Sequence, residues 1–208
     1  MIDSDLGVAV AFNGCIYNHR ELRADLEGDG YRFFSTSDTE AILKAYAKWG
    51  RDCVSHFAGM FAFAIYEHAS GRLLLARDRL GVKPLYLAET AGALRFASTL
   101  PALLAGGRID TSIDPVALHH YLSWHAVVPA PLTILCGVRK LPPATVMTVE
   151  PDGESRSETY WRADFTRRPE HEGWGEREWA DAVLASLRTA VERRMVADVP
   201  VGVLLSGG

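Results

Sequence analysis

The sequence predicts an α+β fold in which mainly antiparallel sheets are layered with helices, followed by the opening of a second, α/β unit. Three observations carry this expectation. Short apolar runs between residues 59 and 98 are joined by turn-forming residues, the pattern of hairpins. Amphipathic, capped segments lie on either side of them in sequence, so helices cover the sheets. Further on, an apolar four-residue periodicity leads into the near-continuous apolar run 199–205, the pattern of a helix feeding a strand buried in a parallel sheet.

Residues 7–12 read as a buried strand that ends at the turn signal Asn13-Gly14. Asn18 stands three residues before Glu21, a capping box for a short helix carrying Leu22 and Leu26, which Gly28-Asp29-Gly30 stops. Residues 31–34 are a short strand candidate. Ser37-Asp38-Thr39-Glu40 is a second capping box, opening a helix with Ala41, Leu43, Ala45, Tyr46 and Trp49 that ends at Gly50. Residues 59–66 alternate large and small apolar side chains and return through 73–76 as a hairpin buried on both faces; 85–88 and 94–98 form another. Arg77-Asp78-Arg79 reads as an ion-paired strand end. Asp114-Pro115 caps a helix with the stripe Leu118, Tyr121 and Leu122. The proline-rich stretch 126–143 is an extended crossing. Residues 146–149 and 159–161 flank Asp152-Gly153 as a small hairpin. The charged segment 163–175 is a linker. Trp179, Val183, Leu187, Val191 and Met195 then mark an amphipathic helix over about 176–197.

Composition narrows the function classes. The chain has 208 residues, 48% hydrophobic and 23% charged, with a net charge of −4, the balance of a globular protein with no basic excess for a nucleic-acid partner. No apolar run is long enough to span a bilayer, and the first residues lack the features of a signal peptide. Cys15, Cys53 and Cys136 show neither a disulfide framework nor a metal spacing, which fits reduced thiols in a cytoplasmic setting. The seven histidines include no metal-binding pattern.

Several residues carry chemistry. A side-chain amide beside a glycine N–H, as in Asn13-Gly14, can form an oxyanion hole; the same dipeptide also makes a tight turn. Asp38 in the first turn of a helix can hold a substrate ammonium or complement the helix dipole. Residues 204–208, Leu-Leu-Ser-Gly-Gly, form a strand running into a glycine loop, an arrangement that places N–H groups around phosphate; a plain C-terminal tail is the alternative. Cys15 is a nucleophile candidate or a small apolar residue. A buried strand with no following crossover helix, and a core strand close behind Met1, lead us to expect a fragment truncated at both ends.

Taken in order, the motifs resemble one family. These are Phe-Asn-Gly-Cys-Ile-Tyr-Asn (12–18), Ser-Asp-Thr-Glu (37–40), Gly-Met-Phe-Ala-Phe-Ala-Ile (59–65) and Ala-Arg-Asp-Arg-Leu-Gly-Val-Lys-Pro-Leu-Tyr (76–86). Val-Pro-Ala-Pro (128–131), Lys-Leu-Pro-Pro (140–143) and Asp-Val-Pro-Val-Gly-Val-Leu-Leu-Ser-Gly-Gly (198–208) follow. The set is similar to the glutamine-hydrolysing asparagine synthetases. Phe-Ala-Ser-Thr-Leu-Pro-Ala-Leu-Leu (96–104), with Phe-Asn-Gly-Cys, most resembles the N-acetylglutaminylglutamine amidotransferases within that family.

The resemblance implies a class II glutamine amidotransferase domain of N-terminal nucleophile hydrolase fold, an αββα sandwich, at 1–162. A linker at 163–175 and the start of an ATP-binding synthetase domain at 176–208 follow. It implies a carbon–nitrogen ligase that releases ammonia from glutamine and passes it to a carboxylate activated by ATP with Mg2+ as an acyl-adenylate. Its partners are glutamine, ATP and an acceptor carboxylate, with no nucleic acid and no membrane, and with room for a homodimer. By the same resemblance Asn13 and Gly14 form the oxyanion hole, and Asn13, Gly14, Cys15 and Asp38 bind glutamine. Leu204, Ser206, Gly207 and Gly208 bind the nucleotide, and no residue binds a resident metal. Cys15 replaces the family's glutamate, and Thr99 replaces another glutamate, which points to a peptide-like acceptor. Aspartate, as in asparagine synthetase proper, and a catalytically dead glutamine-binding scaffold are the alternatives. The family's N-terminal nucleophile cysteine has no match here, so the 208 residues by themselves are expected to be inactive.

Overall fold

In the computed structural model, which describes every residue except Ala91, Asp198, Ser206 and Gly208, all strand pairs among the described residues are antiparallel. The chain divides into two units, Met1–Arg162 and Ala163–Gly208. In the first unit a six-stranded sheet has the order β1 (Ile2–Asp3), β2 (Val8–Ile16), β3 (Gly59–Glu67), β4 (Leu73–Arg77), β8 (Thr145–Val149), β9 (Ser155–Thr159). A three-stranded sheet has the order β6 (Ala93–Ala97), β5 (Tyr86–Thr90), β7 (Arg139–Lys140).

The alternation along β3 explains the layering, because successive side chains of a strand point to opposite faces. Phe61, Phe63 and Ile65 face one side, where they pack with Val8, Val10 and Leu74 against Leu22 and Leu26 of α1 (His19–Gly28) and Ile42, Leu43 and Tyr46 of α2 (Asp38–Trp49). The small residues Ala62 and Ala64 face the other side. With Leu75 and Met147 they meet Leu85, just before β5, and Leu87, Leu94 and Phe96 of the second sheet. Beyond that sheet, Ala88 and Val138 pack against Leu103 of α3 (Leu100–Leu104). The layers are therefore helix, sheet, sheet, helix, and each large side chain buried on the helix side contributes about 1.5–3 kcal/mol.

Local details depart from the sequence expectation in instructive ways. Asn13-Gly14 is not a turn: β2 continues through it to Ile16, because Asn13 pairs with Ala62 and Gly14 with Phe61. Residues 31–34 form no strand; the N–H of Phe34 donates to Glu40 rather than to a neighbouring strand. Asn18 stands at the N-cap of α1 but makes no capping bond. Its amide donates to the His56 carbonyl at 2.9 Å and accepts the Ala58 N–H at 2.8 Å, fastening the start of α1 to β3. Ser37 does cap α2, accepting the Thr39 N–H, while Glu40 leaves the capping box open and turns inward. Asp114 caps α4 (Pro115–Ser123) through the N–H groups of Val116 and Ala117. The inward face of α4 is Ala117; Leu118, Tyr121 and Leu122 are exposed, since no described element lies over them.

Arg77 and Asp78 are not an ion-paired strand end. Arg77 donates to the carbonyls of Gly81, Lys83 and Leu141. The Asp78 carboxylate accepts N–H groups from Phe61, Leu80, Val82 and Lys83. Together they shape the loop 78–85, and burial holds the Arg77 guanidinium below its ordinary pKa despite the nearby Asp78 charge.

In the second unit α5 (Glu176–Arg194) forms as the periodicity predicts, with no residue buried. The expected strand 199–205 is absent. Its residues are exposed and unpaired by any described strand, and a buried parallel strand exists only when neighbours take its backbone hydrogen bonds.

Candidate glutamine site at the free edge of a strand

The candidate site is built on one edge of β2. In an antiparallel pair, backbone groups alternate between the two sides of a strand with a period of two residues. The Val10 N–H donates to the Met1 carbonyl at 2.8 Å, away from β3. The Tyr17 N–H donates to the Ala58 carbonyl at 2.8 Å, toward β3. Even-numbered N–H groups therefore point away from β3. Phe61, opposite Gly14, agrees with this parity: its N–H and C=O are both engaged by Asp78 on the β4 side. The Gly14 N–H thus points to the edge where β1 lies, but β1 pairs only with Val8 and Ala9. Beyond β1 no strand among the described residues covers that edge.

Two residues further on, the Ile16 N–H points the same way and donates to the Asp38 carboxylate at 3.0 Å. Asp38 is the first residue of α2, directly after the Ser37 cap. The helix start therefore sets a carboxylate along the same edge as the Gly14 N–H, with one residue between the two N–H positions. Gly14 can only be glycine here: an added Cβ would stand 2.2 Å from the Met60 carbonyl oxygen and 2.8 Å from the Phe61 Cα.

Asn13 points to the face opposite Gly14 and lines a cavity of about 230 Å³ between the sheets, with Ala11, Ala62, Ala64, Leu85 and Phe96 among its walls. Cys15, on the same face of β2 by alternation, is half-buried. Asn13, Gly14, Cys15 and Asp38 are thus gathered at one end of the six-stranded sheet. Chemically, the arrangement offers N–H donors for a developing oxyanion and an anion for a substrate ammonium. Thr99 caps α3, accepting the Ala102 N–H at 3.4 Å.

The nucleotide candidates belong to the second unit. Leu204 and Gly207 are exposed, and no strand or helix surrounds them among the described residues; Ser206 and Gly208 lie outside the described residues. The described residues do not form a cradle that fits ATP. Among them no group of three His, Cys, Asp or Glu side chains is placed to hold a metal ion. Among the described residues no helix is long and apolar enough to cross a membrane.

Two residues that matter to this end of the sheet escaped the sequence reading. Glu40 was legible only as a capping-box member, and Asp78 only as a charge at a strand end.

A family model described as a glutamine amidotransferase domain matches residues 1–161. The chain belongs to the glutamine amidotransferase domain family. An asparagine synthase model matches residues 182–208. The amidotransferase chain is 39% identical over 199 residues to asparagine synthetase (glutamine-hydrolyzing) 1 of Bacillus subtilis strain 168, covering 96% of this chain and 30% of that protein. It is 34% identical over 203 residues to asparagine synthetase (glutamine-hydrolyzing) 3 of the same organism, covering 96% of this chain and 32% of that one. It therefore spans about a third of the length of these relatives. Among solved structures it is similar to the glutamine phosphoribosylpyrophosphate amidotransferase of B. subtilis, with a TM-score of 0.52 and 21% identity over 75% of this chain and 30% of that chain. That likeness concerns the fold, the αββα sandwich of class II, N-terminal nucleophile hydrolase-type amidotransferases.

Proposed function

We propose that the first unit binds glutamine at the free edge of β2 and supports release of its amide nitrogen as ammonia. The observation that carries this is the shared edge: the Gly14 N–H and the Asp38 carboxylate lie along it, the latter fixed by the Ile16 N–H at 3.0 Å. Asp38 takes the α-amino group of glutamine. When the N-terminal cysteine that the family resemblance implies for the whole protein adds to the amide carbon, the Gly14 N–H and the Asn13 amide receive the oxyanion; the intermediate then expels ammonia, and water releases the acyl group as glutamate. Cys15 lies beside them where a charged residue would add a further anion; its thiol makes that wall of the pocket smaller and less polar.

In the whole protein the ammonia would pass to a carboxylate activated with ATP and Mg2+, giving an amide. The match of residues 182–208 to asparagine synthase supports that half of the reading. On this reading the domain boundary runs at 162, with a linker over 163–175 and the synthetase portion from 176. We infer a peptide-like acceptor such as N-acetylglutaminylglutamine from Cys15 and Thr99, whereas the names of the two Bacillus relatives favour aspartate.

Ammonia release from L-glutamine by the whole protein tests the first half, since the 208 residues by themselves are expected to be inactive. Asn13→Ala should lower kcat by about 10²–10³-fold with little change in KM, the cost of one oxyanion donor. Asp38→Asn should raise KM instead. Unchanged turnover in both variants would remove the assignment. Amide formation with ATP and either aspartate or N-acetylglutaminylglutamine, each offered to the same preparation, decides the acceptor.

A further inference from the structure

We propose that Glu40 is a positioning residue, whose buried hydrogen-bond network sets where the Asp38 carboxylate stands along the edge of β2. The inference rests on the reading of Asp38 as the glutamine α-amino contact.

Glu40 lies on α2 two residues after Asp38 and is 0% exposed. Both of its oxygens face the loop that leads into the helix. Oε1 accepts the Phe34 N–H at 2.8 Å; Oε2 accepts the Ser35 N–H at 2.7 Å and the Ser35 hydroxyl at 2.8 Å. Ser35 Oγ in turn accepts the Ser37 N–H at 3.2 Å, and Ser37 Oγ accepts the Thr39 N–H at 3.1 Å. The backbone on both sides of Asp38 is therefore tied to a single carboxylate, Ser37 through Ser35 and Thr39 through Ser37 and Ser35 in turn.

The other side of Glu40 connects to β1 through Lys44. Lys44 Nζ lies 4.0 Å from Glu40 Oε1 and 2.5 Å from Asp3 Oδ2, and all three side chains are buried. Asp3 belongs to β1, the strand whose end leaves the edge of β2 uncovered. One buried chain, Asp3–Lys44–Glu40–Ser35, thus ties the loop that leads into α2 to β1. Burying three charged groups is costly and holds a loop no better than apolar packing would. What charge-assisted bonds add is tight placement of their donors. A carboxylate that must meet one ammonium on a bound substrate depends on such placement.

The test compares the protein's affinity for L-glutamine with that for glutaramate, which lacks only the α-amino group, by isothermal titration calorimetry. Glu40→Gln leaves an NH2 facing donors that need an acceptor; Ser35→Ala, a milder change, removes one relay. Each should weaken glutamine about tenfold, near the loss of one charge-assisted hydrogen bond, while glutaramate stays within about twofold. If Glu40→Gln does not fold, Ser35→Ala carries the comparison. Parallel weakening of both ligands, or no weakening of either, would mean that the network only stabilises the fold, and would overturn the proposal. Asp38→Asn separates the two levels. If it leaves the glutamine-to-glutaramate ratio unchanged, or if the unaltered protein binds no glutamine, the reading of Asp38 itself fails. If it collapses the ratio while the Glu40 and Ser35 variants keep it, only the positioning role fails.

Discussion

Gly14 shows how one missing side chain can decide a site. Its Cα lies so close to β3 that an alanine there would force backbone, not a flexible side chain, to move. Gly14→Ala should destabilise the protein by about 1–3 kcal/mol, as overpacking does. Gly28, at the end of α1, has open space where a Cβ would stand and an ordinary φ; Gly28→Ala should be neutral or stabilising by up to about 1 kcal/mol. Urea denaturation of both variants checks the opposite signs. The cysteines offer a second prediction at this scale. Burial pushes the Cys53 thiol up to about 12, so at pH 8 it is both protonated and enclosed. Cys136 is exposed. Iodoacetamide at pH 8 should label Cys136 in the folded protein and Cys53 only after unfolding, read by peptide mass spectrometry. Labelling of Cys53 at the rate of Cys136 would contradict its burial.

At the scale of elements, the starts of α1 and α2 look alike in sequence but are held differently. Ser37 caps α2 through a local bond to Thr39. Asn18 instead bonds across to His56 and Ala58, residues near the start of β3. Ser37→Ala should cost about 1 kcal/mol, the usual value of a cap. Asn18→Ala removes two bonds between elements, the one to Ala58 partly buried and the one to His56 exposed, and should cost about 1–3 kcal/mol. Chemical denaturation measures both, and a larger loss at Ser37 than at Asn18 would reverse the assignment. The capping signal was legible at both positions because it is a matter of residue type and spacing. The partner of Asn18 was not legible, because residues 56 and 58 approach it only once β2 and β3 have paired.

For the molecule as a whole, the contrast lies between the first unit's layered core and a second unit in which α5 buries nothing. Helices owe most of their stability in proteins to packing of an apolar face rather than to propensity. The stripe Trp179, Val183, Leu187, Val191 and Met195 is exposed along its length. Hydrogen exchange should therefore be fast over 176–194 and slow over 59–67; equal protection would mean that α5 is covered. The sequence by itself determined the layered α+β class, the hairpins 59–77 and 86–97 and the existence of α2, α4 and α5, because period-two and near-four-residue patterns and caps are local; the third hairpin's return strand lies at 155–159 rather than 159–161. The sequence also carried the motif order that singles out Asn13, Gly14 and Asp38. Only the tertiary structure decided that Asn13-Gly14 continues a strand and that Ile16 holds Asp38. The same is true of the inward turn of Glu40 away from its cap and of the absence of a strand at 199–205. Each of these depends on which backbone groups find partners far away in the chain, and hydrogen bonds between distant segments leave no period in the sequence.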